Sequence, residues 1–343
     1  MKKSLIVTIT ILLFCIFMAT AVMADDKGLV YYLSPGQFDE MYVTGAAAMV
    51  NAVEKAGYTC KVMTATNEDV NVQMDQMDDA ITQNPVAIII MPVESSAAAA
   101  GVDKARAAGI PVISYDRVIS ETTLDFTSVA GCYQMGVNSA HEIVNLLQKK
   151  NGEVRGSILD IMGDPGDSYT ILIEQGFRDI MKDYPDVKIE TKIALAWDPV
   201  NAGNIADDYL LANPEVDLIF IHADVLAPAV VSVLETKGFK KGDVILVSTS
   251  GQPAGLALIR NGWLSLTIEE SIIALAEAIA MYLDDIISGN EIKLGPVEIM
   301  GLQGEIIEQP YGIELQMAGL KIDAENVDDP IFWGNQAEAL LNK

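Results

Sequence analysis

Short β-branched or aliphatic runs alternate with amphipathic or alanine-rich helical stretches along most of the chain, and the series is run through twice. Leu29–Leu33 precedes a helix from about Phe38 to Lys55, Cys60–Met63 one near Val70–Thr82, and Val86–Met91 one near Ser96–Ala108, with Val112–Tyr115 closing the first series. A helix around Gln134–Lys149 opens the second. There Ser157–Met162, Val187–Ala194, Asp217–Ile221 and Val244–Thr249 are separated by helices near Ser168–Lys182, Pro199–Leu211 and Ala227–Lys237. Strands that are apolar throughout, rather than alternating, are buried on both faces, as in a parallel sheet covered by helices. The pattern predicts an α/β fold of two doubly wound, parallel-sheet lobes. A length of 343 residues agrees, at ~100–200 residues per domain.

In open α/β sheets ligands sit beyond the carboxyl ends of the strands, so the loops there are where function is sought. The first such loop carries Gln37, Phe38 and Asp39, Asp116-Arg117 follows the fourth strand, and Gly163-Asp-Pro-Gly-Asp-Ser168 follows Ile161. Ala196-Trp-Asp198 and His222-Ala-Asp224 follow later strands. The Gly163–Ser168 loop lacks the lysine and threonine of a phosphate loop, and its two acids repel phosphate, so Asp167 or Ser168 is expected to cap the next helix. The two histidines, His141 and His222, stand in no metal-ligand spacing, and no Gly-x-Ser-x-Gly elbow is present. The acid-rich stretch from Asp323 to Asp329 lacks the spacing of a calcium loop. No catalytic, metal or cofactor site is therefore assigned, and His222 is expected to line a pocket or be hydrogen-bonded.

The chain opens with Lys2 and Lys3, an uncharged run from Ser4 to Ala24, and Val22 and Ala24 at the selective positions of a cleavage site. That is a secretory leader over residues 1–24, and the exported product is expected to begin near Asp25 in the periplasm. Phe14 before Cys15 is unsuited to lipidation. The acidic balance is extreme: 48 acidic against 22 basic side chains, a net formal charge of −26. It excludes nucleic acid and anionic membrane surfaces as partners and favours a soluble monomer. Cys60 and Cys132 fall in separate elements and are expected to be free, buried thiols.

Ala108-Gly-Ile-Pro-Val-Ile-Ser-Tyr-Asp-Arg117, Gly166-Asp-Ser ahead of Gln175-Gly-Phe177, and Val247-Ser-Thr-Ser-Gly-Gln-Pro253, together with the leader, resemble the type I periplasmic sugar-binding proteins of ABC transporters, nearest the ribose- and xylose-binding branch. The resemblance implies two lobes joined by three crossings that close on a ligand. The crossings are expected near Gly131, Glu270 and Val297. One lobe then comprises residues 25–131 and about 271–296, with the helix from about Ile272 to Ile287; the other comprises 132–270 and about 297–343. It implies capture of a sugar or polyol-like molecule for a membrane ABC permease, or, alternatively, a ligand sensor docking on a membrane signalling protein.

By the same resemblance Phe38 and Trp197 stack on the ligand from opposite lobes, since sugar faces pack C–H groups on rings. Asp116 and Arg117 hold its hydroxyls, with Gln37 and Asp39 beside them and Glu270 at the second crossing, where the ribose pattern has glutamine. Ile171, Ala223, Ser250 and Met91 replace polar residues of that pattern, which argues against ribose and for a ligand less polar on one face, unless Asp167, Tyr169, His222 and Asp224 substitute.

Overall fold

The computed structural model describes residues 26–342, so the leader lies outside it. Eight strands form the first sheet: β1 (Leu29–Ser34), β2 (Thr59–Thr64), β3 (Ala87–Ile90), β4 (Val112–Tyr115), β5 (Phe126–Ala130), β11 (Gly295–Ile299), β12 (Leu302–Gln309) and β13 (Gly312–Met317), in the order β11-β12-β13-β5-β4-β3-β1-β2. The second sheet has six: β6 (Gly156–Met162), β7 (Val187–Ile193), β8 (Leu218–Ile221), β9 (Ile245–Ser250), β10 (Leu266–Glu269) and β14 (Lys321–Asp323), in the order β14-β10-β9-β8-β6-β7. Both are parallel except at one edge, where β12 runs antiparallel to β11 and β13 in the first and β14 antiparallel to β10 in the second. This is the two-lobed α/β architecture that the repeated alternation predicts.

Each lobe has its own core, because β3, β4, β5, β8 and β9 are buried along their whole length and need helices on both faces. Five helices that follow strands begin on acidic caps: Asp39 for α1 (Glu40–Lys55), Asp69 for α2 (Val70–Thr82), Glu94 for α3 (Ser95–Ala107), Asp167 for α5 (Ser168–Met181) and Asp198 for α6 (Pro199–Ala212). Each cap satisfies backbone N–H groups that a helix start leaves free. Part of the acidic excess therefore stands at the carboxyl ends of the strands.

Helix α4 (Cys132–Asn151) crosses α5 at glycine contacts on both helices. A Cβ added at Gly136 would lie 2.1 Å from the Ile173 carbonyl oxygen, and one at Gly176 2.1 Å from the Tyr133 oxygen. Gly176→Ala gains helix propensity of up to ~1 kcal/mol but must force two backbones apart, with a net loss of about 2 kcal/mol expected. Thermal unfolding checks this, and an unchanged Tm would mean that the helices do not approach so closely.

The chain passes between sheets at Gly131, at Glu270-Ser271 and at Ala318–Leu320. The three passages are held together, Gly131 N donating to Met317 O at 2.9 Å and Glu269 N to Leu320 O at 2.7 Å. The third corrects the expectation near Val297: β13 pairs with β5, so residues 295–317 extend the first sheet. Their half-buried, period-two pattern is that of an antiparallel edge, which a reading built on strand–helix alternation does not register. That reading also omits β5, β10 and α8 (Pro253–Arg260). α9 (Ile272–Ser288) packs on α1 and β5, and α10 (Trp333–Leu341) touches both α1 and α8. Cys60 and Cys132, the cysteines among the described residues, are free; Cys132 is buried as expected and Cys60 only half-buried.

Candidate ligand-binding site

The strand-end loops of both lobes meet around one narrow cavity of about 20 Å³. From the first lobe, β4 ends on Asp116, whose left-handed backbone (φ 72°) is fixed by its N–H donating to Ser128 O at 2.8 Å. The turn delivers Arg117 into the cleft, 3% exposed. Its guanidinium donates to Pro92 O at 2.8 Å and to Tyr42 Oη at 2.8 Å, lies 5.7 Å from the Tyr42 ring centroid, and reaches across the cleft to Asp167 at 3.0 Å. Asp39 reaches the cavity from the start of α1, where its carboxylate accepts from Met41 N at 2.9 Å.

From the second lobe, Asp167 caps α5 through Tyr169 N at 2.9 Å and accepts from Trp197 Nε1 at 3.3 Å. Trp197 itself has φ 50°, and its indole presses on Gly163, where a Cβ would sit 2.1 Å from the ring. The Tyr169 ring meets the indole at 5.9 Å, and the Tyr169 hydroxyl lies 2.9 Å from Thr249 Oγ1. Ser250 (φ 104°) ends β9, Gln252 follows it, and Glu270 enters from the second passage between sheets. Non-glycine residues at positive φ persist where their surroundings over-determine them, a pattern that clusters at functional sites.

The electrostatics are those of a crowded acidic pocket. Burial pushes Asp39 up to about 6, against the Met41 hydrogen bond. Asp167 is likewise raised to about 6 by burial, against Arg117. Glu270 is held well above the carboxylate range by burial and then by Asp116. Asp116 Oδ1, Arg117 Nε, Ser250 Oγ and both Glu270 oxygens are buried without a hydrogen-bond partner among the described residues.

Of the expected site residues, Asp39, Asp116, Arg117, Asp167, Trp197, Ser250 and Glu270 line this cavity together. Five do not, and Asp224 acts from behind it. Phe38 is 48% exposed, edge-on to Tyr42 at 5.5 Å, and shares an outer pocket with Gln37. Met91 is core, its carbonyl accepting from Gln73 at 2.8 Å, and Ile171 is half exposed. His222 lies 3.0 Å from Asp160 and 3.7 Å from Glu174, in a buried group whose two carboxylates pair with Arg178. Asp224 accepts from Gln252 N at 2.8 Å and Thr267 Oγ1 at 3.2 Å, so it holds the Gln252 loop in place.

Met41, Tyr42 and Gln252 line the cavity but were not assigned from sequence. Tyr42 sits one helical turn after Asp39, and Gln252 lies inside the Val247–Pro253 stretch, so a periodicity argument on the capped helix start would have reached the first. The second lobe's face is not apolar: Asp167, Tyr169, Gln252 and Glu270 supply the polarity that Ala223 and the outward Ile171 do not.

A family model described as a periplasmic binding protein domain matches residues 30–291. A D-apiose import binding protein from Paraburkholderia graminis is 27% identical over 267 residues, covering 77% of this chain and 82% of that protein. Another, from Actinobacillus succinogenes, is 26% identical over 234 residues, covering 68% and 73%. The periplasmic binding protein of the arabinose ABC transporter from Shewanella sp. ANA-3, solved with α- and β-L-arabinofuranose, is similar in fold with a TM-score of 0.78 at 20% identity, over 92% of this chain and 98% of that one. The family match spans most of the chain and agrees with its two parallel-dominated sheets: the chain belongs to the periplasmic binding proteins, ligand carriers rather than enzymes.

Proposed function

We propose that the exported protein captures a sugar or sugar-like small molecule between its lobes and delivers it to a membrane ABC permease. The observation that carries this reading is the interlobe cavity. Asp116, Arg117, Ser250 and Glu270 present buried, unpartnered donors and acceptors beside the rings of Trp197 and Tyr169. Small-molecule sites combine apolar or aromatic walls with a few placed polar groups, and sugars offer both C–H faces and hydroxyls. The cavity as it stands is narrow, about 20 Å³, so admitting a sugar ring requires the lobes to part about the passages between them. The D-apiose in the names of two relatives supports a sugar ligand. Export rests on the leader, and the mass of the mature protein should start it near Asp25.

Trp197 is expected to report ligand binding by a change in fluorescence. Trp263, bonded to Glu235 at 3.0 Å, and Trp333, bonded to Ser250 O at 2.7 Å, supply background. The Trp197→Phe variant should lose most of the ligand-dependent signal, and an undiminished signal would remove Trp197 from the site.

A further inference from the structure

The cavity holds more carboxyl groups than its one base can pair. Asp39, Asp116, Asp167 and Glu270 are each at most 4% exposed, and Arg117 is the only basic side chain among the lining residues. Arg117 commits its hydrogen bonds to Asp167, Tyr42 and Pro92 and stands 3.8 Å from Asp116, while Glu68 adds a further acid 3.7 Å away. Asp39 is occupied by Met41 N, and Asp167 by Tyr169 N and Trp197. Glu270 has both oxygens unpartnered and no basic side chain of its own, while Asp116 keeps one unpartnered oxygen and shares Arg117 with Asp167. A neutral sugar brings hydroxyl donors to these oxygens but no charge. Two neighbouring buried carboxylates both ionise only when a cation lies between them. The Tyr169 and Trp197 rings, meeting at 5.9 Å and 69°, add the electron-rich wall that a small organic cation favours.

We infer that the ligand carries a protonated amine among its hydroxyls, held by Glu270 and Asp116, as in an aminosugar, an aminopolyol or a sugar analogue with nitrogen in the ring. This rests on the proposed capture of a sugar-like molecule and narrows its class.

Calorimetry at pH 7 on matched pairs tests it: 1,4-dideoxy-1,4-imino-pentitols against the corresponding 1,4-anhydropentitols, and 2-amino-2-deoxyhexoses against their parent hexoses. In the pair that binds best, the amine is expected to bind at least ~10-fold more tightly than its neutral partner. Glu270→Gln, which keeps the shape and an acceptor but not the charge, is expected to erase that preference. A neutral member that binds as tightly as its amine, or a preference that survives Glu270→Gln, overturns the inference and leaves sugar capture standing. Binding of neither kind overturns the capture reading, and the inference with it.

Discussion

Asp116→Asn is expected to weaken ligand binding by at least ~30-fold while leaving the ligand-free protein as stable as the wild type or more so. Removing one partner of a buried, charged hydrogen-bonded contact costs ~2–5 kcal/mol in binding, and each 1.4 kcal/mol is tenfold. The stability half has the opposite sign for a structural reason. Asp116 raises the pKa of Glu270 and stands against Asp167 as well, so the free protein carries its charge as repulsion. Arg117 keeps its 3.0 Å contact with Asp167 when Asp116 is neutral. Asparagine also tolerates the left-handed backbone at φ 72°, which alanine does not. Calorimetry and thermal unfolding on one preparation read both halves, and wild-type affinity in this variant would remove Asp116 from the site.

The ligand-free protein is expected to lose stability as pH rises from about 5 to 8. Burial raises Asp39 and Asp167 to about 6 and Asp224 and Glu269 to about 7, with Glu270 also raised. A carboxyl whose folded pKa exceeds its unfolded value near 4 keeps its proton in the folded state after the unfolded chain has lost it, so stability falls as pH climbs between the two. Charges facing these groups are Asp116 and Arg117 in the cavity, Glu68 behind Arg117 and Asp329 beside Glu269; Arg117 opposes the shifts of Asp39, Asp167 and Glu270, and the acids named among their causes reinforce them. A combined effect on the order of 5 kcal/mol corresponds to a Tm lower at pH 8 by at least about 5 °C. The acids whose pKa falls, such as Asp26 and Asp179, lie at the surface, where solvent screens them, and weigh little against this. Thermal scans between pH 5 and 8 check it, and a flat or rising Tm would show that these carboxyls are not buried as described.

What the sequence disclosed followed the periodicities it could display. Helix α2 spans Val70–Thr82 and β4 spans Val112–Tyr115, both as read, because an amphipathic helix between capping and breaking residues and a short apolar run are local signals. The β11–β13 edge was misassigned because its alternation says nothing about which sheet it joins, and that pairing is settled by long-range contact with β5. The site was legible where strand ends carry charged residues, as at Asp116-Arg117 and Asp167. It was misjudged where burial decides. Met91 lies inside the protein, Phe38 turns outward, and Gln252 enters the cavity because Asp224 holds its backbone from the neighbouring loop; His222, away from the cavity, is hydrogen-bonded to Asp160, one of the two roles expected of it.

A thermal-shift screen of the purified mature protein over pentoses, hexoses, deoxysugars, aminosugars and polyols tests the proposed capture of a sugar-like molecule most directly. A ligand at about 100 times its dissociation constant adds ~2.7 kcal/mol to the folded state, a rise of several degrees for a chain of this size. At least one sugar-like compound is expected to raise the Tm by about 5 °C or more and to lose that effect in Asp116→Asn. A panel that leaves the Tm unmoved throughout, or a shift that Asp116→Asn leaves intact, contradicts the account.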